Sequence, residues 1–330
     1  MNNWIRLALA AAILSLSACG GGGSSGGDAQ AGVSSGGTGS FSNGPVTSFG
    51  SIVVNGIHFD QTTATVTDGE GQQLLPADIK LGMVVELTGA TVERIGARDQ
   101  AQAKDIRLVP ALVGPVEQIG SDTLVVMGQT VQVNNETHLD EGLAQGLASL
   151  HADDLVTIYG FHDAQHDVFV ATRIERRSGV APDHYVVHGV IQDLDPANGR
   201  CRIGQQTIAY QWGTDVVGLV NGRVATASLA TSLYIPAAAD GSAPAVWQGK
   251  VMTLDQPSVS DRDQASVDGV VTSLSLDAAG VIAVNGLPVD TRQMRCDVCG
   301  GLNVGDRVQV EGRLVNKVIV ASKVSAVAAN

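Results

Sequence analysis

Aromatic residues are scarce, at 4% of 330, so any core has to be filled by Val, Ile, Leu and Ala. Basic residues are also few. Twenty Lys and Arg against 33 Asp and Glu leave a formal charge of −13, a balance that repels phosphate backbones and speaks against nucleic acid as a partner. No apolar run is long enough to span a bilayer, which excludes a polytopic helical membrane protein. Helical periodicity is missing as well, apart from a stretch from Glu141 to Leu150 that suits a short helix, so a coiled coil is excluded. There is no Gly-x-Ser-x-Gly elbow, phosphate-binding loop, His-Glu-x-x-His or dinucleotide fingerprint. No catalytic residue, cofactor or metal is therefore assigned. What the chain has instead is glycine, 40 of them, which suits a fold full of turns.

The first residues read as an export signal. Arg6 and the amino terminus are positive, and Leu7 to Leu14 form an apolar stretch too short to span a bilayer. Leu16-Ser17-Ala18-Cys19 then resembles the lipobox at which bacteria acylate a cysteine and cleave just before it. Cys19 is thus the expected lipidation site, carrying acyl chains such as palmitate, each methylene adding ~0.8 kcal/mol of membrane affinity. Gly20 after the cysteine points to the outer membrane by the sorting rules of such lipoproteins. The Gly/Ser-rich stretch that follows cannot bury enough apolar surface to order itself and reads as a disordered tether spanning ~25–30 Å.

The remainder repeats, with four landmarks recurring in one order. A glycine-valine strand start occurs at Gly44-Pro45-Val46, Gly114-Pro115-Val116, Gly189-Val190 and Gly269-Val270. A tight turn between apolar strands follows at Asn55-Gly56, Gly128-Gln129, Gly204-Gln205 and Asn285-Gly286; Asn-Gly is a strong hairpin signal. A strand closed by glycine comes third, ending at Gly89, Gly160 and Gly312. A strand with alanine three residues before an aliphatic comes last: Ala103 and Ile106, Ala171 and Ile174, Ala321 and Val324. Each unit offers four or five short strands, the inventory of a five-stranded Greek-key barrel of the oligonucleotide/oligosaccharide-binding (OB) type. The reading is all-β: signal peptide 1–18, lipidated tether 19–43, then tandem barrels 44–110, 111–177, 178–257 and 258–330. The third is the most divergent, with an insertion or distortion expected around 237–242.

At these landmarks, above all Gly44-Pro45-Val46-Thr47-Ser48-Phe49-Gly50-Ser51-Ile52-Val53-Val54-Asn55-Gly56, the chain resembles the bacterial domain of unknown function numbered 5666. The resemblance covers the first, second and fourth units well and the third poorly. It implies tandem OB-like barrels behind a lipoprotein signal, and it carries no catalytic residues with it.

Few side chains stand out as sites. Cys296-Asp297-Val298-Cys299 admits a zinc half-site or a redox pair, but a small loop-stapling disulfide between Cys296 and Cys299 suits an oxidising envelope better. Cys201 is then the odd, buried thiol. His162, Asp163, His166 and Asp167 cluster in six residues, which reads as solvated turn polarity rather than a metal site. His184 and His188 fall on one strand face and read as exposed. The third unit holds Tyr185, Tyr210, Trp212, Tyr234 and Trp247. Ile208 and Tyr210 align with core positions, while Trp212 lies one step further, where a barrel mouth would let it stack on a sugar ring. The expected role is a lipid-anchored, non-enzymatic structural or interaction module of the bacterial cell envelope. The alternative is a binding module for an oligosaccharide or other envelope polymer, and an enzyme is the third reading.

Overall fold

The computed structural model describes residues 39–163, 165–179, 182–210, 218–239, 241, 243–276, 279–294 and 301–327. These residues are all-β, with four 3₁₀ turns and no α-helix among them. The 141–150 stretch forms two such turns, Glu141–Leu143 and Gly146–Ser149, rather than one helix. Gly146, at φ +69°, breaks the run between them.

The first barrel consists of β1 (Ser40–Ser48), β2 (Ile52–Val54), β3 (Ile57–Asp60), β4 (Thr65–Thr67), β5 (Gln73–Leu74), β6 (Val84–Gly89), β7 (Glu93–Ile95) and β8 (Arg98–Leu108). The second has β9 (Leu112–Ile119), β10 (Thr123–Val126), β11 (Gln129–Gln132), β12 (His138–Leu139), β13 (Leu155–Asp163) and β14 (Val168–Arg176). The third has β15 (His184–Asp195), β16 (Arg200–Ile203), β17 (Gln206–Ala209), β18 (Val224–Ala230) and β19 (Val246–Leu254). The fourth has β20 (Arg262–Ser273), β21 (Val281–Val284), β22 (Leu287–Asp290), β23 (Arg307–Val315) and β24 (Val318–Ala326).

One pairing scheme recurs in all four. The first principal strand pairs with the second, the second with the third, the third in parallel with the fifth, the fifth with the fourth, and the fourth closes on the first. In the second barrel this is β9-β10-β11-β14-β13-β9, and in the divergent third it is β15-β16-β17-β19-β18-β15. Closure leaves no principal strand with an open edge.

The landmarks have a shared physical cause. The Asn55 side chain, in a turn at φ 56°, reaches back to donate from Nδ2 to the Asn43 carbonyl at 3.1 Å. It lies against Gly44, where a Cβ would sit 2.4 Å from Asn55 Oδ1. Asn285 does the same against Gly269, donating to the Asp268 carbonyl and accepting from the Val270 N–H. Met127 takes this place over Gly114 in the second barrel. The first-strand glycine is thus the hole into which the hairpin-turn residue fits, which is why the two recur together.

Barrels adjacent in sequence do not simply stack end to end. β1 pairs in parallel with β20, from Ser40↔Gln264 to Asn43↔Val267, joining the first and fourth barrels in a 13-stranded sheet. Phe41 on β1 is fully buried in the fourth barrel's core. The second and third barrels share an 11-stranded sheet through Val186↔Val113, and their apolar residues form one contiguous set. Thr172 donates to the Gly82 carbonyl at 2.6 Å, tying the first barrel to the second. The Asn285-Gly286 turn abuts Asp255, tying the fourth to the third. The contacts close into a cycle.

Candidate functional site

The connection between the fourth and fifth principal strands separates the barrels into two kinds. In the fourth barrel it is the two-residue turn Asn316-Lys317, and in the second it runs only from Asp163 to Val168. In the first it carries the extra strand β7, and in the third it occupies residues 231–245. In OB barrels this connection overhangs the face made by strands two and three, where ligands sit. Only the first and third barrels are built with such an overhang.

In the third barrel the overhang is apolar. A turn at Thr231–Leu233 delivers Ile235 into a two-hydrogen-bond bridge with Val246. That bridge lays the Tyr234 ring on Trp247, with centroids 4.3 Å apart and planes tilted by 35°. Tyr185 meets Trp247 in an edge-type contact with centroids 5.6 Å apart, and Trp247 Nε1 donates to Gln206 Oε1 at 2.8 Å. Leu233, Tyr234 and Ile235 remain exposed, at 56%, 42% and 62%. Three consecutive exposed apolar side chains on a pinned loop form a presented surface. Ile208 and Tyr210 are buried, as their alignment requires. Trp212, Cys19, Cys296 and Cys299 lie outside the described residues.

The second feature is a cleft of about 1230 Å³ whose walls come from all four barrels. Its floor holds two histidines that sequence reasoning left in solvent. His188 is largely covered because β15 lies between barrels, and its Nε2 shares a 2.5 Å hydrogen bond with Asp255 Oδ2. Thr226 donates to the other Asp255 oxygen at 3.3 Å. Burial weighs most against a charge on His188, yet the charge and hydrogen bond of Asp255 together outweigh it, so the imidazole stays above its ordinary pKa. His162 belongs to β13 and not to a solvated loop, and it is 8% exposed. Burial, the largest influence, pushes its pKa down despite a 3.1 Å contact with Asp167. Both imidazoles pack on Phe169, at 4.9 and 5.9 Å. His184 is also buried, between Asp183 and Glu70. His166, by contrast, is exposed and pairs with Asp163.

His188 Nδ1 and His162 Nδ1 are buried without a hydrogen-bond partner among the described residues. No group of three or more His, Cys, Asp or Glu among the described residues is arranged to hold a metal ion. Cys201 is buried in the third barrel, and burial pushes its thiol up to about 11, away from thiolate reactivity. Two contacts cross between barrels here: Phe169 of the second packs on His188 of the third, and Glu70 of the first pairs with His184 of the third.

The family described as Domain of unknown function (DUF5666) matches residues 43–93, 113–175 and 268–325. These stretches fall in the first, second and fourth barrels. The third barrel escapes the match although its strands pair in the same order. A search of curated proteins finds no match. With three matched repeats covering about half its length, this chain belongs to the DUF5666 family.

Proposed function

We propose that the protein is a lipid-anchored, non-enzymatic interaction module of the bacterial cell envelope, held at the outer membrane through Cys19. The tether lifts a four-barrel body off the lipid, and the third barrel presents Leu233, Tyr234 and Ile235 to an envelope partner. The observation that carries this reading is the division of labour among the fourth-to-fifth-strand connections. Two are minimal turns and two are elaborated, and one of the elaborated pair displays exposed apolar side chains over a pinned tryptophan. The test is capture from intact envelopes with the lipidated full chain. A partner retained by the native chain and lost with Tyr234→Ala supports the reading, and identical capture by both refutes it. The anchor is tested separately: Cys19→Ala should abolish detergent-phase partitioning.

A second reading is uptake of an oligosaccharide on the same loop, favoured by the outward-facing Tyr234 ring, since aromatic faces suit the apolar face of a sugar. Tryptophan emission during a titration with an oligosaccharide panel separates the two, because Trp247 lies directly beneath Tyr234. A flat response removes the second reading alone.

A further inference from the structure

The other elaborated connection, in the first barrel, builds a groove of a different chemistry. β7 folds back on β8 as a hairpin and forms one wall of a concavity of about 430 Å³. This is within the size range of small-ligand sites. Its floor is the outer face of β3 and β8, because Phe59 and Ala103 turn inward and the alternate residues turn outward, with the partly buried Ala101 reaching the groove as well. Ladder register sets His58 beside Gln100, and Gln100 beside Glu93, in one row across three strands. At ~4.8 Å between strands, the row spans ~10 Å. Asp60 and Arg98 flank it on the same groove.

The wall is pre-positioned from another barrel. Gln264, on β20, accepts from the Val92 N–H at 2.6 Å and donates to the Val92 carbonyl at 3.2 Å, completing a backbone-like pair at the hairpin's base. At the hairpin's tip, Arg94 Nη1 bonds both oxygens of Asp99, at 3.1 and 3.2 Å. On the floor, Ser51 Oγ and His58 Nδ1 share a 2.9 Å hydrogen bond that fixes the imidazole. Glu93, Arg98 and Gln100, in contrast, have side chains with no hydrogen bond or ion pair to other described residues. A rigid frame thus holds solvated polar groups with no described protein partner at the mouth of a cleft.

We infer that this groove on the first barrel binds a neutral, polyhydroxylated ligand: a glycan segment of about two sugar rings. Carboxylates only accept hydrogen bonds, guanidinium only donates, and the amide does both. A ligand satisfying all three in one row has to carry groups that both donate and accept at short intervals, which is what vicinal hydroxyls do. Asp60 and Glu93 against Arg98 alone leave the groove net negative, so phosphates and uronates are disfavoured. The apolar part of the lining is Ala90, Ile95 and Ala101, with Ile95 57% exposed on the β7 wall, so an extended peptide is the competing class that the test includes. This site is separate from the Tyr234 loop, and the two stand or fall apart.

Hydrogen-exchange mass spectrometry on the full chain tests it, with maltotetraose and chitotetraose as neutral probes. Tetragalacturonate and an extended serine/threonine nonapeptide serve as the competing classes. A neutral tetrasaccharide should protect amides in 57–60 and 91–102. The double variant Glu93→Leu/Gln100→Leu should weaken that protection at least tenfold, while Tyr234→Ala leaves it unchanged. Gln264→Leu should speed exchange of residues 91–97 in the free protein and weaken binding, a pairing that a purely structural Gln264 would not give. Failure of both neutral probes to protect this segment, protection by the peptide or the uronate alone, or undiminished binding by the double variant overturns the inference. Loss of envelope capture with Tyr234→Ala bears only on the third barrel.

Discussion

Gly160 sits opposite Ala171 across β13 and β14 so closely that a Cβ on it would lie 2.3 Å from the Val170 carbonyl oxygen. Gly89 and Gly312 face Ala103 and Ala321 in the same way, each at a bulge in its ladder. In the third barrel the small residue has crossed the ladder: Leu229 occupies the glycine position and Gly249 faces it. Gly160→Ala should therefore destabilise the protein by ~3 kcal/mol, the upper range for overpacking against fixed backbone. Gly249→Ala should cost clearly less, because its Cβ would meet Ile208 Cγ2 at 3.2 Å and the Ala209 carbonyl oxygen at 3.3 Å, both about an ångström further out than the carbonyl at Gly160. Urea unfolding of the two variants side by side checks the ordering; equal losses would refute the account of the bulge.

These glycines explain why the repeat was legible. The landmark pairs are steric keys, the turn residue Asn55 or Asn285 in its glycine socket and the bulge glycine against its alanine, so they survive where the other side chains drift. The expected insertion around 237–242 falls inside the overhang at 231–245 for the same reason, since a loop there disturbs neither key. What the sequence did not disclose lies between barrels. Phe41, Ser40 and Gln264, which join the first barrel to the fourth, are not part of any repeated landmark. His162, His184 and His188 have the outward phase of solvent-facing residues, and contacts from outside their own strands, including Phe169 of the second barrel on His188 and Glu70 of the first on His184, cover them. The polar groove was hidden because Glu93, Arg98 and Gln100 look like ordinary solubilising residues. One signal was available: 13 positions separate Gly89 from Ala103, against 10 between Gly160 and Ala171 and eight between Gly312 and Ala321.

The two buried imidazoles should oppose each other in pH dependence. His188 is held above its ordinary value of ~6.5 and so contributes stability that is complete below that value and lost as pH rises through its folded-state pKa. His162 is held below, so its contribution is present above ~6.5 and lost as pH falls through its folded-state pKa. Around them stand Asp255 and Thr226 from the third barrel, and Asp163, Asp167 and Phe169 from the second. Asp255→Asn strands a charged His188 at low pH and should cost ~3 kcal/mol at pH 5.5 and markedly less at pH 8.5. Denaturant midpoints at the two pH values decide it, and a loss independent of pH would show that the pair does not titrate.

Cys201 offers a check on the packing of the third barrel. Its thiol is 2% exposed and raised to about 11 by burial, so at pH 8 it should resist iodoacetamide in the folded protein. Labelling of the Cys201 peptide should appear only as denaturant crosses the unfolding transition. Rapid modification under native conditions would mean that the region between β16 and β17 opens locally.

Trp247 reports on the overhang itself. Tyr234 covers one face of the indole, Tyr185 makes an edge-type contact with it, and Gln206 takes its N–H, so the ring is held in a partly dry niche. Tyr234→Ala should remove the cover and admit water, shifting the Trp247 emission to longer wavelength and increasing its quenching by iodide. Because Tyr234 is 42% exposed and contributes little to the barrel's interior, the loss in stability should stay within ~1 kcal/mol. Gln206→Leu, which leaves Tyr234 in place, should change the emission far less. Trp4→Phe and Trp212→Phe in every sample leave Trp247 as the one tryptophan of the chain. An emission maximum that does not move with Tyr234→Ala would mean that the loop does not lie on the tryptophan in solution, and the presented Leu233-Tyr234-Ile235 surface would lose its footing.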